Sequence, residues 1–301
     1  ILVTFLAVSC ATPDREADQT PTSKPEAEQQ AAEEEKATAE TEASPARNET
    51  LNSVVWTQNS AEYWATVRQT YATGRRQLDR LLDDETRTAA LEQDGDFGSK
   101  PPAVILDVDE TVLDNSAYQV RLIRQGESFD TETWNAWCKE AEADPVPGAL
   151  AFTRYAAEQG VTVFYVTNRQ HVVEEATRRN LEKLGFPLAE KRDVILTKGE
   201  EEGWGSDKTP RRETIAEEYR VVLMFGDNLG DFMGETEGTS AERLKKAKKH
   251  AKRFGETWFM LPNPMYGDWE AAPYGYDYGK SRDTKATDKL DALDAKTPNE
   301  K

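Results

Sequence analysis

The chain has 301 residues, 37% hydrophobic and 9% aromatic, which supplies a packed core and excludes disorder of the whole. Fifty-six acidic residues against 38 basic ones leave a net charge of −18, so a nucleic acid polymer is not an expected partner. Two histidines, His171 and His250, and two cysteines, Cys10 and Cys138, are a poor supply for histidine or thiolate zinc, haem or a disulfide scaffold, so any metal should be held by oxygen.

Ile1 to Ser9 are apolar or small and run into Cys10 and a polar tract, as a truncated secretory signal ends. Leu6-Ala7-Val8-Ser9-Cys10 resembles a bacterial lipobox, in which Cys10 would be the lipidated residue; Ala7 stands where Leu is more usual. Residues 11–50 contain no aromatic residue and carry 11 acidic and 4 basic side chains, so they are expected to form a disordered, self-repelling acidic tether. The folded body is placed at 51–278, and the charged end, 279–301, is expected to fray as a flexible tail.

Within the body, Val55, Trp56, Tyr63, Trp64, Val67, Tyr71, Leu78, Leu81 and Leu82 recur at helical spacing and predict one or two amphipathic helices. A loop follows over 92–102. Four short apolar runs, 103–108, 161–166, 193–196 and 221–225, read as strands buried on both faces. Helical stretches at about 148–159, 171–184 and 211–219 lie between them. The alternation predicts an α/β fold, a doubly wound parallel sheet of Rossmann type whose ligands meet the carboxyl ends of the strands. Residues 116–147, rich in aromatics, interrupt the alternation and read as an inserted helical cap.

The predicted strand ends carry the chemistry. The first ends in Asp107-Val108-Asp109, two carboxylates that need a cation or a shared proton unless they are a solvated turn. The second ends in Thr167-Asn168-Arg169, suited to an anion or to capping a helix. Ser206-Asp207-Lys208 follows the third, and the fourth runs into Gly226-Asp227-Asn228-Leu229-Gly230-Asp231.

These motifs resemble the haloacid dehalogenase superfamily and, within it, the class C, four-aspartate bacterial acid phosphatases that are lipoproteins. The resemblance runs from Trp56-Thr-Gln-Asn-Ser-Ala-Glu-Tyr63 through Asp107-Val-Asp-Glu-Thr-Val-Leu-Asp-Asn-Ser116 to Leu261-Pro-Asn-Pro-Met-Tyr-Gly-Asp-Trp-Glu270. It implies Asp107 as nucleophile, Asp109 as general acid and base, Thr167 as phosphate ligand and Lys208 as the neutralising lysine, preferred over Lys198 because Arg211-Arg212 follows it. It also implies Mg²⁺ held by the side chains of Asp107 and Asp227 and the backbone carbonyl of Asp109, with Asp231 supporting them. The substrate class implied is a small phosphomonoester, above all a nucleoside 5′-monophosphate. Asn168, Tyr118 and Tyr266, with Trp134, Trp137 and Trp269, are the candidate substrate contacts; core packing is the alternative for the aromatics. The implied location is a bacterial cell envelope, lipid-anchored at the outer membrane. The oligomeric state is left open, a homodimer being one option. A haem-binding surface lipoprotein without turnover and another reaction of the same core, such as phosphotransfer, are the rival functions.

Overall fold

The structure is a computed structural model and describes residues 50–296; Cys10, the lipobox and nearly all of the expected tether lie outside the described residues. The predicted helical stretch breaks into α1 (Leu51–Asn59) and α2 (Ala61–Leu82), because Ser60 turns extended and its hydroxyl accepts the Tyr63 N–H at 3.0 Å. One face of α2 buries Tyr63, Val67, Tyr71, Leu78 and Leu81. A side chain at Gly74 would stand 2.4 Å from the Phe225 ring, so glycine lets α2 lie close on the sheet.

The sheet has five parallel strands: β1 (Pro102–Leu106), β4 (Thr162–Gln170), β5 (Ile195–Lys198), β6 (Arg220–Gly226) and β7 (Trp258–Met260), in the order β5-β4-β1-β6-β7. Every residue of β6 is buried, the pattern expected of a strand covered on both faces. The chain steps from β1 outward through β4 to β5, then returns to the other side of β1 for β6. The crevice of such a sheet opens where the order reverses, at the carboxyl end of β1. Two short strands, β2 (Leu113–Asp114) and β3 (Asp144–Pro145), pair antiparallel and bracket the cap helices α3 (Ser116–Gln125) and α4 (Thr131–Glu140). The crossover helices are α5 (Ala149–Glu158), α6 (Glu174–Leu184) and α7 (Thr209–Glu218); α8 (Ser240–Lys249) joins β6 to β7.

Three details differ from expectation. The fifth strand, β7, is only three residues long and gives no periodicity to read. Strand β4 runs on to Gln170 and α6 begins after a 3-10 turn over His171–Val173, so neither Thr167 nor Asn168 caps a helix. Beyond the short α9 (Asp268–Ala271), the segment expected to fray carries α10 (Arg282–Asp291). No residue of α10 is buried, so hydrophobic spacing could not announce it. It is held by polar contacts instead: Ser281 accepts the Thr284 N–H at 3.2 Å, Lys280 pairs with Asp288 at 2.8 Å and Lys289 with Glu270 at 2.6 Å.

Candidate active site

Strand β1 ends at Leu106, and the Asp107 N–H still donates to the Phe225 carbonyl at 3.0 Å. The backbone then turns: Val112 and Leu113 donate to the Val108 carbonyl, each at 2.9 Å, and Glu110 takes a left-handed φ of 57°. That turn buries Val108 and leaves Asp107 and Asp109 both lining one cavity of about 1420 Å³, together with Asn168, Lys208, Asp227, Asp231 and Tyr266. The pair therefore belongs to a built crevice and not to a solvated turn.

The Lys208 ammonium, itself buried, donates to Asp107 and, at 2.6 Å, to Asp231 Oδ1. Lys198 instead donates to Ser206 Oγ at 2.8 Å. Asp231 is fully engaged, since its Oδ2 accepts the Asn228 N–H at 2.9 Å. Its carboxyl lies against Gly226, where a Cβ would stand 2.3 Å from Asp231 Oδ2, and this explains the glycine before Asp227. Asp227 accepts from Asn263 Nδ2 at 2.7 Å.

The electrostatics are those of crowded acids. Burial pushes the Asp107 carboxyl up to about 7, partly offset by Lys208. Burial, with Asp107 and Asp231 nearby, holds Asp227 well above the usual carboxylate range. Burial works against the charge on Lys208, but Asp107 and Asp231 outweigh it and raise its pKa. Asp107, Asp227 and Asp231 each present an oxygen, all within 4.8 Å of one another, against the single ammonium. Hard oxygen donors with excess negative charge in a buried pocket fit a small divalent cation such as Mg²⁺.

Asp109 is held differently. Its Oδ1 accepts from Arg169 Nε at 2.8 Å and Asn115 Nδ2 at 3.0 Å, and its Oδ2 from the Thr167 hydroxyl at 3.3 Å. Asn115 in turn accepts from Trp137 Nε1 at 2.8 Å and from Arg169 Nη2 at 3.1 Å, so a cap tryptophan and a sheet arginine fix one amide. The arginine pair is equally committed. Arg211 donates to the Thr167 carbonyl, to Asn168 Oδ1 at 2.8 Å and to the Gly205 carbonyl at 2.8 Å. Arg212 pairs with Glu92 at 2.7 Å and donates to the Gly230 and Asp231 carbonyls at 3.1 and 3.2 Å. The two guanidinium groups therefore tie β4 at Thr167, the segment that carries Lys208 and the turn that carries Asp231 to one another. Arg169, Asn115, Arg211, Arg212 and Asn263 were within reach of sequence reading only as members of the quoted motifs. Their roles depend on contacts between distant segments.

The candidate substrate contacts divide. Tyr118 is a cap core residue, edge-to-face with Trp134 at 5.1 Å and 3.0 Å from the Thr133 hydroxyl; it does not line the cavity, which corrects its expected role. Trp137 is likewise buried. Trp134 and Tyr266 line the cavity, and the Tyr266 hydroxyl is buried with no hydrogen-bond partner among the described residues. Asn168 lines it too, although its amide donates to the Ser206 carbonyl at 2.9 Å. Thr167 is fully buried, its hydroxyl turned to Asp109. Trp269 donates to the Asn263 and Tyr266 carbonyls, both at 3.1 Å, and so orients that loop. Neither histidine lines the cavity: His171 pairs with Glu174 at 2.8 Å and His250 packs on Trp258.

Comparison with known proteins supplies an independent reading. The family model described as HAD superfamily, subfamily IIIB (Acid phosphatase) matches residues 15–269. Among solved structures, the class C acid phosphatase from Bacillus anthracis is 36% identical, covering 83% of this chain and 98% of that one, with a TM-score of 0.74. The same enzyme with tungstate bound is 35% identical over the same shares, also at 0.74. Acid phosphatase 1 of Solanum lycopersicum is 28% identical over 64% of this chain and 68% of that protein. The stem 31 kDa glycoprotein of Glycine max is 26% identical over 54% of this chain and 58% of that protein, so the chain spans less than two thirds of the latter relative.

Proposed function

This chain belongs to subfamily IIIB of the HAD superfamily, the acid phosphatases, and on that premise we propose that it hydrolyses small phosphomonoesters through a phosphorylated Asp107, with Mg²⁺ as cofactor. The observation that carries the reading is the buried cluster at the tip of β1, where one ammonium faces three carboxylates. In the first step an Asp107 oxygen attacks phosphorus in line, the P–O bond to the leaving group breaks, and Asp109 gives that oxygen a proton. In the second, Asp109 takes a proton from water as the water oxygen attacks phosphorus, and Asp107 leaves as carboxylate. Asp107, Asp227 and the Asp109 carbonyl would hold the cation, which when bound screens the repulsion between carboxylate and phosphoryl oxygens. Asp231 keeps Lys208 oriented toward Asp107, where its ammonium can bind an equatorial phosphoryl oxygen. Thr167 would join it once its hydroxyl turns from Asp109. The relative that holds tungstate, a tetrahedral oxyanion, is consistent with a phosphoryl pocket of this kind.

The leaving group is read as a nucleoside, with its base against Tyr266 and Trp134 on the cavity wall. Stacking on an aromatic ring is worth about 1–3 kcal/mol per base, or about tenfold and more in affinity. Tyr266→Ala should therefore raise KM for adenosine monophosphate about tenfold while changing KM for glucose 6-phosphate little. An equal change for both substrates would assign Tyr266 to packing. Cys10 is the proposed site of lipidation, and the cell envelope the proposed location.

A further inference from the structure

Helix α10 lies C-terminal to the residues that the family model matches, yet it contributes a wall to the same cavity through Arg282, Lys285 and Lys289. Arg282 crosses from this helix to the cap: its Nε donates to Ser128 Oγ and its Nη1 to the Gly126 carbonyl, both at 2.7 Å. Both acceptors are neutral. The guanidinium is thus fixed in place with its charge uncompensated, since no carboxylate pairs with it among the described residues. Lys285, three residues on, donates to the Tyr278 carbonyl at 2.9 Å and lies 5.5 Å from the centre of the Tyr274 ring, again without a carboxylate partner among the described residues. Arg124, in the last turn of α3, lines the cavity as well and makes no ion pair among them.

Other arginines of this acidic chain are neutralised at close range, as Arg121 is by Glu140 and Arg192 by Glu218. Arg124, Arg282 and Lys285 thus bring to one cavity three cations without a carboxylate partner among the described residues, on a wall that also carries Glu127, Glu235 and Glu237. The volume, about 1420 Å³, exceeds the roughly 300–1,000 Å³ typical of small-molecule sites, so it admits a leaving group that reaches well beyond the phosphoryl pocket.

Resting on the phosphatase reading above, we propose that Arg124, Arg282 and Lys285 form a second anion subsite at the leaving-group end of the cavity. The preferred substrates would then be phosphomonoesters whose leaving group carries another phosphate, such as a nucleoside 3′,5′-bisphosphate. A fixed guanidinium binds a phosphate with directed, charge-assisted hydrogen bonds, and little ordering of the side chain remains to be done.

The test is the ratio of kcat/KM for adenosine 3′,5′-bisphosphate to that for adenosine 5′-monophosphate, measured on the full chain with Mg²⁺ at low salt. The expected ratio is about tenfold, falling toward one in Arg282→Gln/Lys285→Gln and falling as salt is raised. Because both substrates are read on one preparation, a general loss of folded enzyme cancels. Arg124→Gln, which breaks no hydrogen bond among the described residues, should lower the ratio severalfold and guards against displacement of α10 in the double variant. A ratio near one in the parent, or one that all these variants leave intact, overturns the subsite alone. A chain that hydrolyses neither nucleotide nor para-nitrophenyl phosphate overturns the phosphatase reading and the subsite with it.

Discussion

Asp107→Asn is expected to lower kcat at least about 10⁴-fold while leaving the melting temperature unchanged or higher. The carboxamide keeps the volume of the side chain and an oxygen that can accept from Lys208, but it has no anionic oxygen to attack phosphorus. The sign of the stability effect follows from the crowding. Asp107 sits with Asp227 and Asp231 around one ammonium, and burial already raises its pKa to about 7, so its ionised form is costly in the free protein. A neutral isostere relieves that repulsion. Loss of turnover together with loss of fold would assign Asp107 to structure, and turnover within tenfold of the parent would remove it as nucleophile.

Removal of divalent cation should abolish activity, by at least about 10²-fold, and added Mg²⁺ should restore it. The same cation should stabilise the fold, with a pH dependence whose sign can be worked out. The folded, cation-free chain holds a proton on Asp107 up to about pH 7, whereas the unfolded chain loses it near its ordinary value of 3.8. Between these values the folded state binds more protons than the unfolded one, so the stability of the cation-free protein falls as pH rises through that window. Binding of a cation favours the ionised carboxylates and releases those protons. The gain in melting temperature on adding Mg²⁺ should accordingly be larger at about pH 7 than at about pH 5. Activity indifferent to chelation, or a gain that is larger at the lower pH, would contradict the assignment of Asp107 and Asp227 to the cation.

The four long strands and their order of charged ends were legible because a strand covered on both faces is almost continuously apolar, and β6 is buried at every residue. Asp107, Asp109 and Asp227 follow β1 and β6 closely, whereas Lys208 lies ten residues past the end of β5 and was singled out only through the resemblance. What stayed hidden depends on contacts across the sequence. Asn263 meets Asp227 from 36 positions away and Arg169 meets Asp109 from 60, and neither separation leaves a local pattern. Tyr118 misled because helical spacing says only that a ring faces inward, and the inside here is the cap's own core around Trp134. Helix α10 was invisible for the opposite reason: with no buried side chain, its ordering rests on a serine cap and ion pairs that composition alone reads as a solvated tail.

Phosphoryl transfer to the β1 carboxylate can be observed directly by quenching the enzyme in acid during turnover of a ³²P-labelled monoester and mapping the labelled peptide. A hydroxylamine-sensitive label on residue 107, absent from Asp107→Asn, is the predicted outcome. Turnover at full rate with no label on the protein, or with a label confined to another residue, would contradict it.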